Sequence, residues 1–161
     1  MIETTVLRLL EAAASWKLGI PGSREGMVAE ASGLLGAGRS EPCIVTIASL
    51  YSDAKAGEVD QLITQLANEL GVGDEFERNL DLLAARRVCR FVIDGDMDER
   101  ELTAWVHQHF GHQSELDLLD DIAEFDDNWD GAVAGWGTQS VNELRPKVRA
   151  AARGILDSDL I

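Results

Sequence analysis

Apolar residues recur along most of this chain at the three- and four-residue spacing of a single helix face, and glycines interrupt the recurrence at intervals. Val59, Leu62, Ile63, Leu66 and Leu70 form the cleanest stripe, closed by Gly71 and Gly73. Ile2, Val6, Leu9, Leu10, Ala13 and Trp16 form another, stopped by Gly19 to Gly22 with Pro21 among them. A weaker stripe through Met27, Ala31, Leu34 and Leu35 opens at Ser23 and ends at Gly36 and Gly38. Residues 43–51 fit two periods: Ile44, Ile47, Ala48 and Tyr51 have helical spacing, while Cys43 to Ile47 also reads as a buried strand. No second run of that kind is present to pair with it, so helix is the preferred reading. Two further helices are predicted, one from Ser114 through Leu118, Ile122, Phe125 and Trp129. The other runs through Val141, Leu144, Val148, Ala151 and Ile155, with Pro146 either kinking or restarting it. A glycine-rich loop is expected between them, from Asp130 to Gly137.

The segment from Val88 to Phe110 carries the clearest local signals. Upstream of Asp94-Gly95, Leu80, Leu82, Leu83, Val88, Cys89, Phe91, Val92 and Ile93 cover most of a helix. At about 100° per residue, Arg86, Arg87 and Arg90 share one narrow strip. This is read as the central core helix, opened by a capping box at Asp74 and Glu77, its arginines paired with acids such as those near Asp121. Gly95 suits the left-handed position past a helix end. Asp98 with Glu101 three residues on then forms a capping box, followed by a stripe at Leu102, Trp105, Val106 and His109. The run from Asp94 to Leu102 resembles the second half of a calcium loop, but the first and third ligand positions are Arg90 and Val92, inside a helix. The same joint also resembles helix pairs in tellurite-resistance-type all-helical domains.

These patterns predict an all-α fold, a single-domain bundle of about seven or eight helices with short connections spanning 1–161. A hydrophobic content of 45% is that of a folded chain. The N-terminus lacks a basic leader pattern, and no apolar run approaches the roughly 18 residues of a membrane span. Cys43 and Cys89 lie in apolar surroundings without metal or redox spacing, which predicts buried free thiols and a cytoplasmic setting. The net charge of −15 is the strongest global signal, and it disfavours nucleic-acid and anionic-membrane partners. The basic residues Arg145, Lys147, Arg149 and Arg153 of the last helix are expected to lie against the acidic segment from Asp94 to Asp130.

Candidate chemistry is sparse. Gly33 to Ser40 has the spelling of a phosphate-binding loop with Arg39 in place of lysine, but a helical pattern precedes it where a strand is required. His107, His109 and His112 cluster in sequence, yet helical residues two apart point about 200° from each other. A metal site there needs the helix to unwind or a carboxylate from elsewhere, so no metal and no cofactor are assigned. Asp117, Asp120, Asp121 and Glu124 gather at helical spacing, and this acidic pattern resembles the all-α nucleotide pyrophosphohydrolases. That resemblance implies a Mg²⁺-dependent nucleotide hydrolase built on residues 115–130, with Asp74 and Glu77 on the facing helix. Trp129 and Trp136 flank the glycine-rich loop, where tryptophans serve either as interface anchors or as pins onto the core.

No catalytic residues are assigned. The preferred reading is a protein that works by protein–protein binding or regulation, with Asp117, Asp120, Asp121, Glu124, Trp129 and Trp136 as its binding residues. An inhibitor or immunity-type protein for a basic, nuclease-like target is the specific version. The hydrolase is the alternative, and a homodimer pairing acidic with basic regions is a third reading.

Overall fold

A computed structural model describes residues 2–159. Among these residues the fold is all-helical, with nine helices and no strand: α1 (Thr4–Lys17), α2 (Ser23–Gly36), α3 (Pro42–Ala48), α4 (Ala56–Glu69), α5 (Gly73–Arg78), α6 (Leu80–Asp94), α7 (Glu99–Phe110), α8 (Asp117–Ala134) and α9 (Val141–Leu156). None of them is long and apolar enough to cross a membrane. The ambiguous segment is helical, with Pro42 in the first turn of α3, where its missing N–H costs nothing. The chain divides into two compact units, one running through Arg87 and the other spanning Val88–Asp159.

In the first unit α1 packs on α2 and α4, and α3 packs on α2 and α4. The alanines at 12, 13 and 14 are fully buried beside Leu9 and Leu10, so α1 is covered around most of its circumference. Met27, Ile44, Ile47, Ile63, Leu66, Phe76 and Leu83 complete the core. Arg86, expected to pair with acids such as those near Asp121, donates from its Nε to Glu11 Oε1 at 2.9 Å, with both residues buried. A buried charge is tolerated only beside its counter-charge, so an arginine inside a core demands an acid there. Gly26 admits the Arg87 guanidinium, which lies where a Cβ would be.

Asp74 and Glu77 do not cap the central helix. They fall on the separate short helix α5, whose capping position is Val72, and Glu77 accepts from Lys17 at 3.1 Å. Cys43 and Cys89 are both buried free thiols. Burial, reinforced by the neighbouring Glu69 carboxylate, pushes the Cys43 thiol up to about 11. It is therefore protonated at neutral pH and unsuited to nucleophilic work.

In the second unit the last turns of α6 lead to α7, and α7, α8 and α9 pack pairwise. Leu102, Val106, Leu119, Ile122, Trp129, Leu144, Val148 and Ile155 fill the space between them. The joint forms as its residues require. Gly95 takes φ +87°, the Asp96 N–H donates to Phe91 O at 2.8 Å, and the Asp98 carboxylate accepts from the Arg100 N–H at 2.8 Å. Arg90 and Val92 lie within α6, so the first half of a calcium loop is helical. The helix expected from Ser114 starts instead at Asp117, and α8 continues through Ala134 where a glycine-rich loop was expected. Only from Gly135 (φ +78°) does the chain turn, and Gly137 then packs so closely on Gly131 that an added Cβ would lie 2.9 Å from its carbonyl carbon. Helix α9 runs continuously through Pro146, which is exposed.

Candidate functional site

The acidic residues of α8 separate into three groups. Asp117, Asp121 and Glu124 are exposed at i, i+4 and i+7, a single stripe along the solvent face, and make no hydrogen bond or ion pair among the described residues. Asp120, expected to belong to the binding set, is half-buried instead. Its carboxylate accepts from the Ser114 N–H at 3.0 Å and so ties down the approach to the helix. Asp126, Asp127 and Asp130 point toward α7. Asp126 Oδ1 accepts from Arg100 Nη1 at 2.7 Å and from Thr103 Oγ1 at 3.1 Å, and Asp130 accepts from Arg100 Nη2 at 3.2 Å.

The two tryptophans part company. Trp129 is 4% exposed, with the Arg100 and Arg145 guanidiniums 5.8 and 5.5 Å from its ring centroid. It is a core residue under two cations and presents no recognition surface. Trp136 is 77% exposed and Val133 67%. The indole lies against Gly131, held there by the turn in which the Trp136 and Gly137 N–H groups both donate to Gly131 O. A large apolar side chain fixed in water is the feature an interface anchor requires.

Of the four basic residues of α9 expected to lie against the acidic segment, Arg145 and Arg149 do so, whereas Lys147 and Arg153 are exposed. Arg145 donates to Asp98 at 2.7 Å and to Glu99 at 2.6 Å, and Arg149 donates to Glu99 at 3.3 Å and to the Val92 carbonyl at 3.0 Å. The hydrogen bond from Arg145 holds the Asp98 carboxyl below the usual carboxylate range, against the opposing effect of partial burial. The stripe on α8 has no such partner, so its negative charge faces solvent.

Sequence spacing misplaced the histidines. His109 is exposed rather than part of the packed stripe, its ring stacked on Trp105 with centroids 4.6 Å apart. His107 and His112, five residues apart, come together because the chain reverses at Gly111 (φ +59°), leaving their ring centroids 4.9 Å apart. Asp127 of α8 completes the group. This is the one cluster of metal-capable side chains among the described residues, and the acidic stripe of α8 is not part of it.

In the first unit, α3, the segment after it and α4 line an open groove of about 550 Å³ that includes Leu50, Tyr51, Lys55, Glu58 and Leu62. Tyr51 stands at its edge, 79% exposed. The sequence had assigned Tyr51 to the helical stripe. The end of α3 at Ala48 releases it, and no periodicity marks that end.

Comparison with family models, with curated proteins and with solved structures returned no match.

Proposed function

We propose that this protein acts by binding a basic protein partner through the solvent face of α8 and the Trp136 turn that follows it. The observation that carries this reading is the combination of an unpaired acidic stripe along one helix with an exposed tryptophan in the turn just beyond it. Asp117, Asp121 and Glu124 supply long-range attraction, and Trp136 supplies apolar area that desolvates on contact. The net charge of −15 selects for a cationic partner and against nucleic acid. A second copy of this chain brings the same negative stripe, and of the α9 cations Arg145 and Arg149 are engaged within their own unit while Lys147 and Arg153 stay exposed. An inhibitor of a basic target, of the immunity or antitoxin kind, fits such a surface.

Pull-down from cell extract at low ionic strength, followed by binding kinetics with the purified captured protein, tests this. Affinity should fall steeply with salt. Replacing Asp117→Asn, Asp121→Asn and Glu124→Gln together should slow association by about tenfold or more, and Trp136→Ala should speed dissociation. The reading is abandoned if no basic protein is retained, or if the triple variant binds unchanged.

A further inference from the structure

We infer that His107, His112 and Asp127 form a binding site for a first-row transition-metal dication of the Zn²⁺ class, fastening the end of α7 to α8. Each residue offers one ligand atom, and these atoms all lie within 4.8 Å of one another. His112 Nε2 is 2.9 Å from Asp127 Oδ2, and His107 Nδ1 is 3.6 Å from Asp127 Oδ1. With metal–ligand bonds of about 2.0–2.1 Å, the edges of a coordination tetrahedron are about 3.3 Å. The two rings meet different oxygens of one carboxylate at separations near that edge, so a bound ion is reached when the rings and the carboxylate turn to bring one oxygen and the two nitrogens together.

The donor chemistry selects the ion. Two imidazoles and one carboxylate suit zinc, cobalt or nickel, whereas Ca²⁺ and Mg²⁺ require oxygen ligands throughout. Asp126, itself held by Arg100 and Thr103, has Oδ2 2.8 Å from His107 Nδ1, so its carboxylate holds that ring beside Asp127, and an ion bound at Nδ1 takes the place of this hydrogen bond. The positive backbone angle at Gly111 is what returns His112 to His107. His107 is half-buried while His112 and Asp127 are exposed, which leaves a path for the ion from solvent and an open coordination position for water or an outside ligand.

Untagged protein titrated with Co²⁺ reports on the site directly through visible ligand-field bands, and competition with Zn²⁺ gives the affinity. The expected result is a one-to-one complex with tetrahedral-type absorption, displaced by Zn²⁺, and a melting temperature raised by Zn²⁺. His112→Ala, at an exposed position, should abolish the bands, and Asp127→Asn should weaken binding by about tenfold or more. Absence of bands in the folded wild-type protein overturns the site, as do bands that persist in the His107→Ala, His112→Ala double variant. Mg²⁺ raising the melting temperature as effectively as Zn²⁺ would also overturn it, in favour of a site made of carboxylates alone.

Discussion

Glu11 is 1% exposed in the middle of α1, beside the fully buried Leu10, Ala12 and Ala13. Its role is set by Arg86, 75 residues further along the chain, whose guanidinium it receives. Removing one partner of a buried pair leaves the other charge desolvated, so Glu11→Ala is expected to cost about 3–5 kcal/mol in urea unfolding. The double variant Glu11→Leu, Arg86→Met should recover most of that loss, because two apolar side chains of similar volume need no compensation. A double variant as unstable as the single one would show that the pair is not the reason for the loss. Single residues were the least legible part of the sequence. Nothing in the spacing of Trp129 and Trp136 says that one lies under two arginines and the other in water. That difference comes from the length of α8, whose last turns carry Trp129 into the core and leave Trp136 in the turn beyond.

Asp98 begins α7 and illustrates the element scale, since its carboxylate both caps the helix and receives Arg145. Asp98→Ala removes a cap contributing about 1 kcal/mol, and a half-exposed ion pair whose contribution is reduced by solvent screening, for an expected loss of about 1–2 kcal/mol. Because the Arg145 hydrogen bond lowers the folded-state value of Asp98, the unfolded chain binds this proton more readily than the native one. The associated stability is therefore present above the ordinary carboxylate range and disappears as pH falls through the lowered folded value. Wild type should show a steeper acid limb than Asp98→Asn in denaturant midpoints measured from neutral to low pH, and identical limbs would contradict this. Elements were legible where glycine or a capping side chain announced them, as at Gly95 and Asp98. The start of α8 was misread by three residues because Ser114, a plausible cap, serves instead to donate its N–H to Asp120.

At the scale of the whole molecule the governing quantity is the charge of −15. Self-repulsion opposes the compact state more than the expanded one, and salt screens it over a Debye length of about 10 Å at 0.1 M. The melting temperature is expected to rise between about 10 mM and about 200 mM NaCl, as read by circular dichroism. A fall would mean that local pairs such as Arg145 with Asp98 and Glu99 outweigh the global repulsion. The same screening should weaken attachment of a basic partner to α8, so stability and binding are expected to respond to salt in opposite directions.

The sequence by itself determined that the chain is helical, where most helices lie, and that its cysteines are buried. Each of these follows from local periodicity, turn residues and composition. Only the tertiary structure decided which charges face inward and which outward. Arg145 and Arg149 meet Asp98 and Glu99, Arg86 meets Glu11, and the stripe of Asp117, Asp121 and Glu124 meets no partner among the described residues. It also decided that His107 and His112 meet each other and Asp127. The reason is geometric: a helical period says which residues share a face but not what that face meets. A turn such as Gly111 sets two histidines side by side that helical spacing alone would have pointed apart.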